Sequence, residues 1–197
     1  MILFINACVR QDSRTKRLAD CLLSELVGPV EEVRLEEASF PLVDDDFLRR
    51  RDALIAAEDY SDPMFALAEQ FARADGIVMA APYWDFSFPA SLKQYIEQIN
   101  VPGITFSYSP EGIPQGLCKA KKLYYVMTAG GNYIPLEYGF GYVKALAQNY
   151  YGIREVQLFK ATGLDIIDAD PDEIMEESME KIRQQFRLSC AGSRING

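Results

Sequence analysis

Asp75–Asn100 reads DGIVMAAPYWDFSFPASLKQYIEQIN, and the fold is decided there. Gly76–Ala81 is a short apolar run behind a turn signal, the pattern of a strand covered on both faces. It ends at Pro82. Tyr83, Trp84, Asp85 and Phe86 follow, too aromatic and too near prolines for regular structure. Pro89 then opens a helix, at a position where its missing N–H has no partner in any case. Leu92, Ile96 and Ile99 fall on one face of that helix. A buried strand thus delivers an aromatic loop, and the loop feeds a helix. In an open α/β sheet, ligands bind beyond the carboxyl end of such a strand. Aromatic side chains and free backbone amides at that spot suit a flat, polar-edged heterocycle, although such a loop can also simply plug a core.

Outward from this stretch, strands and helices alternate. Met1–Ala7 is an apolar strand, Cys8–Thr15 a polar connection, and Leu18, Leu22 and Leu26, with Ala19 and Leu23, make the stripe of a helix reaching Val27. Gly28-Pro29 stops it. Val30–Leu35 is a weaker, charged strand suited to a sheet edge. Phe40–Tyr60 begins acidic and irregular, with Asp44, Asp45 and Asp46 read as a solvated turn, and can become helical later. Asp62-Pro63 starts a helix carrying Met64, Leu67, Ala68 and Phe71. Beyond the central stretch, Val101–Cys118 is a long loop, and unstructured loops of that length are usually functional or disordered. Leu123–Met127 is a strand, followed by a turn over Thr128–Tyr133. Gly141–Tyr151 is a helix, Ile153–Ala161 a strand ended by Thr162-Gly163, and Asp170-Pro171-Asp172-Glu173 a capping-box start for a helix with Ile174, Met179, Ile182 and Phe186. With no repeat and no linker, residues 1–197 read as one domain. Five strands separated by helices read as an α/β fold, a doubly wound parallel sheet with helices on both faces, and a flavodoxin-like arrangement of it would have the order 2-1-3-4-5. That order brings three segments to one end of the sheet: the loop after strand 1, Pro82–Phe86, and Thr128–Tyr133.

Composition narrows the chemistry. A net charge of −9 over 197 residues argues against nucleic acid or an anionic membrane as partner. The chain has no histidine, which removes Ser-His-Asp and Cys-His catalysis and histidine metal ligation. Any difficult step then falls to carboxylates, Tyr, Lys, Cys or a bound cofactor. Cys8, Cys21, Cys118 and Cys190 form no C-x-x-C pair, so neither a zinc site nor a disulfide framework is expected, and no metal. A reduced, cytoplasmic chain is the simplest account. No leader is expected, since a strand begins at once, and no apolar run approaches the ~20 residues of a membrane span.

The loop after strand 1, Asn6–Thr15, reads NACVRQDSRT and runs into a helix N-terminus, where free amides and the positive dipole end favour an anion. Ser13 and Thr15 offer hydroxyls, and Arg10, Arg14, Lys16 and Arg17 form a basic cluster in a strongly acidic protein. A bound phosphate accounts for this, as does a capped helix with a solvated basic face. The loop is neither G-x-G-x-x-G nor G-x-x-x-x-G-K-[ST], so a Rossmann dinucleotide site and a P-loop are disfavoured.

Ser13-Arg14-Thr15, Ala81-Pro82-Tyr83-Trp84-Asp85-Phe86 with Pro89, Leu92-Lys93-Gln94-Tyr95-Ile96, Gly103-Ile104-Thr105-Phe106-Ser107-Tyr108 and Thr128-Ala129-Gly130-Gly131 together resemble the flavodoxin-like NAD(P)H:quinone oxidoreductases and FMN-dependent NADH-azoreductases. The likeness keeps these motifs in order from residue 1 to about residue 165. It implies a homodimer with non-covalent FMN, ahead of FAD, at the subunit interface, and NAD(P)H as co-substrate. Quinones, or azo and nitro aromatics, would accept the electrons in two-step hydride transfer. It further implies a flavin-binding set of Asn6, Arg10, Ser13, Arg14, Thr15, Pro82, Tyr83, Trp84, Asp85, Phe86, Thr128, Ala129, Gly130 and Gly131. Phe106, Tyr108 and Tyr133 would border the substrate pocket, and no catalytic acid or base is assigned. Asp85 stands where many relatives have Asn. A carboxylate facing the ring would lower its potential, whereas a role for the backbone amide alone would make the change mild. The same fold admits an FMN electron carrier serving a protein partner. A phospho-receiver is disfavoured, because no acidic pair follows strand 1.

Overall fold

The computed structural model describes residues 1–192, with side chains through Leu188. In order, the chain forms β1 (Ile2–Asn6), α1 (Arg14–Glu25), β2 (Val30–Arg34), α2 (Asp45–Ala56), α3 (Ala66–Arg73), β3 (Gly76–Ala80) and α4 (Ala90–Ile99). It continues through β4 (Phe106–Tyr108), β5 (Pro114–Gly116), β6 (Lys122–Thr128), α5 (Phe140–Asn149), β7 (Glu155–Ala161) and α6 (Pro171–Gly192). One sheet holds β2-β1-β3-β6-β7 with every pair parallel. Numbered among themselves these five strands run 2-1-3-4-5, the flavodoxin-like order expected from the sequence.

The apolar runs of the inner strands divide by parity between two cores. Leu3, Ile5, Ile77, Met79, Leu123 and Tyr125 face one side with Phe71, Leu92, Tyr95, Ile96 and Val143. Ile2, Phe4, Val78, Ala80, Tyr124 and Val126 face the other with Leu18, Leu22, Met175 and Ile182. Burial on both faces is why these strands are near-continuously hydrophobic. β2 lies at the edge, where its residues alternate between exposed and half-buried, and its charges suit that place. Ile174, Met179 and Phe186 of α6 pack half-buried on the second core. Asp170 Oδ1 caps α6 by accepting from the amides of Asp172 and Glu173 at 2.9 and 3.1 Å.

Three segments differ from expectation. Asp44–Asp46 is the start of α2: Asp44 accepts from Phe47 N–H at 2.9 Å, and Asp45 and Asp46 both pair with Arg49 in the next turn. Carboxylates at that end are favoured by the orphan amides and the helix dipole. Asp62-Pro63 opens a short 3₁₀ turn (Pro63–Phe65) ahead of α3. The Val101–Cys118 segment is partly structured, since β4 and β5 pair antiparallel as a separate ribbon. Cys8, Cys21 and Cys118 are free thiols, and the Cys190 side chain lies outside the described residues. No helix among the described residues is long and apolar enough to cross a membrane.

Candidate functional site

The sheet ladder continues past the carboxyl ends of its strands and stitches the following loops together. Ala7 N–H donates to Ala80 O at 2.9 Å, Ala81 to Val126 at 2.9 Å, Tyr83 to Thr128 at 3.0 Å and Ala129 to Ala161 at 3.0 Å. Two buried hydroxyls, Thr15 Oγ1 and Thr128 Oγ1, meet at 2.6 Å and tie the start of α1 to the end of β6. The three segments singled out in the sequence therefore do converge. Between them lies a cavity of about 330 Å³, lined by Arg10, Ser13, Arg14, Thr15, Pro82, Tyr83, Trp84, Thr128, Ala129 and Gly130.

Val9, Asp12, Leu164 and Asp165 also line it. The first two belong to the loop already identified. The second two come from the loop after β7, which sequence reasoning missed. Its backbone is held against the Thr128–Gly131 turn: Gly163 N–H donates to Gly131 O at 3.1 Å, Leu164 to Ala129 at 3.3 Å and Asp165 to Gly130 at 3.0 Å. The one available signal was Thr162-Gly163, a strand stop at a switch-point end. Gly163 takes φ +80°, the left-handed region that glycine enters freely.

Each wall has a local cause. Ser13, buried at 8 % exposure, is the N-cap of α1 and accepts from Lys16 N–H at 3.2 Å. The amides of Arg14 and Thr15 in the first turn have no acceptor within the helix. The basic cluster is less free than its sequence suggests, because Arg14 pairs with Asp165, Lys16 with Asp20 and Arg17 with Asp172. Burial pushes the Cys8 thiol up to about 11, partly opposed by a hydrogen bond with Ser13, so it is protonated at neutral pH and no nucleophile. Tyr83 donates to Pro135 O at 3.2 Å, and desolvation, with Tyr133 and Glu137 nearby, raises its phenol, which keeps it neutral.

Four of the expected flavin contacts stand outside the cavity lining: Asn6, Asp85, Phe86 and Gly131. Asn6 is committed elsewhere, donating to Glu32 at 2.8 Å and accepting from Cys8 N–H at 3.0 Å. Asp85 and Phe86 form the tip of a tight turn in which Trp84 and Ser87 exchange backbone bonds of 3.2 and 2.7 Å. Both tip residues have positive φ, +50° and +66°. This is the signature of a type I′ turn, which favours Asn or Asp first and Gly second. The residue type at 85 thus has a backbone reason, and Asp85 is an exposed side chain. We expect Asp85→Asn to leave stability within about 0.5 kcal/mol of wild type. Asp85→Val, β-branched in a left-handed position, should cost about 1–2 kcal/mol. Denaturant titration of the two variants checks this, and equal cost would mean that the turn does not depend on conformation at 85.

The substrate-pocket residues separate as well. Tyr133 is 81 % exposed and meets Phe86 edge-on at 6.2 Å, beside the cavity. Phe106 and Tyr108 lie elsewhere. Phe106 packs on Tyr150 at 4.6 Å, and the Tyr108 and Tyr150 hydroxyls are 3.4 Å apart. Tyr150 caps the carboxyl end of α5, whose other end touches the site loop where Ser87 bonds Tyr138 O at 2.9 Å. At 1.5 Å per residue the helix spans about 15 Å, so the β4–β5 ribbon sits towards the opposite end of the sheet. Its strands pair with each other and dock on α5, which is why the loop does not fold over its own chain's cavity.

Comparison with known proteins agrees with this architecture. Residues 1–186 match the family described as having the flavodoxin-like fold. An FMN-dependent NADH:quinone oxidoreductase of Clostridium perfringens is 33 % identical over 189 residues, 91 % of this chain and 94 % of the relative. One from Lachnoclostridium phytofermentans is 35 % identical over 190 residues, again 91 % and 94 % of the two chains. An azoreductase from Bacillus anthracis superposes with a TM-score of 0.81 over 94 % of this chain and 97 % of its own, at 24 % identity, and so shares the fold. Matched along nearly its whole length, the chain belongs to the flavodoxin-like family whose curated relatives bear the name FMN-dependent NADH:quinone oxidoreductase.

Proposed function

We propose that the protein is an FMN-dependent oxidoreductase that moves a hydride from NADH or NADPH to a quinone or to an azo or nitro aromatic. The observation that carries this reading is the meeting, at one cavity, of an anion-favouring helix end and an aromatic strip. The residues present fit FMN. Arg10, Ser13, Arg14 and Thr15, with the first-turn amides of α1, suit the phosphate. Pro82–Trp84 and the backbone of Thr128–Gly130 suit a flat ring with a polar edge. When bound, FMN supplies the two-electron chemistry. The chain's own task is to bind, orient and keep water out. Buried Thr15 and Thr128 hold two walls at a fixed distance, and neutral Tyr83, its proton given to Pro135 O, adds no charge beside the ring.

We read the chain as one domain working as a cytoplasmic homodimer. Trp84, Phe86, Tyr133 and Tyr138 make an aromatic rim that is 40–81 % exposed, and such a patch suits cover by a second copy. A second copy also gives the half-exposed Tyr108 a route to a cavity that its own chain does not offer, whereas Phe106 is buried beneath it against Tyr150. The enzyme reading is favoured over a single-electron carrier, since the relatives that match along the chain are named as NADH:quinone oxidoreductases. The test is NADH oxidation with a benzoquinone by protein stripped of flavin, with and without added FMN. Turnover should appear only with FMN and give parallel double-reciprocal plots. Turnover that requires a protein acceptor would support the carrier reading instead.

A further inference from the structure

The cavity contains its own anions. Among the charged side chains lining it, Arg10 and Arg14 are offset by Asp12 and Asp165. What favours an anion beyond that balance is the amino end of α1. The two arginines are not equivalent. Arg10 makes no ion pair with any described residue, whereas Arg14 Nη1 lies 2.7 Å from Asp165 Oδ1, joining the first turn of α1 to the loop after β7.

The backbone of Asp165 is held in place, while its side chain is 67 % exposed on the rim of the cavity. Its N–H donates to Gly130 O at 3.0 Å, and its carboxylate rests against Gly130, where a Cβ would collide with it. The missing side chain of Gly130 is therefore what gives the carboxylate its seat. Arg14 in turn is held by an acceptor that a ligand's phosphate would resemble in charge and geometry.

We propose that Asp165 is a positioning residue that sets this site's selectivity for a phosphate-bearing ligand by acting as the internal counter-ion of Arg14. A phosphate entering the site meets Arg10 and the α1 amides freely, but gains Arg14 only by sharing it with Asp165 or displacing it. Asp165 thus holds the affinity for a phosphorylated flavin below what two free arginines would give, and leaves an unphosphorylated flavin unaffected. This rests on the reading that the site takes FMN.

The test is fluorescence titration of flavin-free protein with FMN and with riboflavin. It uses wild type, Asp165→Asn, Arg14→Ala and the double variant, with thermal melts to confirm folding. Asp165→Asn should tighten FMN roughly fivefold, the scale of a partly exposed ion pair, and leave riboflavin unchanged. The gain should vanish when Arg14 is absent. Asp165→Ala carries the same expectation should the Asn variant fold poorly. Unchanged or weakened FMN binding overturns the proposal. So does a gain that persists without Arg14, which would mean direct repulsion of the phosphate. Equal binding of FMN and riboflavin by wild type would overturn this inference by placing the phosphate elsewhere, and failure to bind either would overturn the flavin reading itself.

Discussion

Arg10→Ala combined with Ser13→Ala should weaken FMN by roughly a hundred- to ten-thousand-fold while changing riboflavin little. A hydrogen bond to a charged group contributes about 1.5–3 kcal/mol, and two such losses sum to about 3–6 kcal/mol. Arg10 is the cavity cation that makes no ion pair with any described residue, so its charge is available to a phosphate. Ser13 is buried at the mouth of α1, where its hydroxyl accepts from Lys16 N–H and faces the Cys8 thiol, a weak hydrogen-bond partner that a phosphate oxygen would outcompete for its proton. Its loss also removes an N-cap, at a cost of about 1 kcal/mol in stability. Parallel melts separate that cost from binding, and riboflavin serves as the phosphate-free control. Equal loss for both flavins would place the phosphate elsewhere.

The second large effect concerns the ribbon. Gly116 ends β5 where it crosses the carboxyl end of α5. A Cβ there would fall well inside contact distance of three backbone atoms, Tyr151 C and Gly152 N and Cα. Backbone cannot swing aside as a side-chain end can, so Gly116→Ala must either push the ribbon off α5 or distort the turn after it. Gly152, at φ +74°, is already committed to a left-handed turn. Overpacking typically costs 1–3 kcal/mol and more where nothing can yield, and we expect about 3 kcal/mol. Chemical denaturation measures it directly. A loss under about 1 kcal/mol would show that the ribbon moves freely on α5.

Why some of this was legible in the sequence and some not follows from the range of the forces involved. The stretch from Asp75 to Asn100 exposes its strand, loop and helix locally, through an apolar run, two prolines and a helical stripe. Connectivity narrows the strand order without fixing it, and three loops fall to one end once the flavodoxin-like order is taken. Asp44–Asp46 was misjudged because charge alone looks like solvent, whereas the same carboxylates satisfy orphan amides once a helix follows. The turn at Asp85-Phe86 was hidden because Phe occupies a left-handed position that Gly normally marks. The β4–β5 ribbon consists of two three-residue strands defined by each other, with too few residues for periodicity to register. Asp165 was beyond reach for a different cause. It enters the site through the backbone bonds of Leu164 to Ala129 and of Asp165 itself to Gly130, and its partner Arg14 is 151 positions away.

The most direct test of the central claim is an anaerobic titration of the FMN-loaded protein followed in the visible flavin band. Adding an equimolar amount of NADH should bleach the band, and an equimolar amount of a benzoquinone should restore it, with no other protein present. A band that NADH leaves unchanged, or that recovers only when a protein acceptor is supplied, would contradict the account.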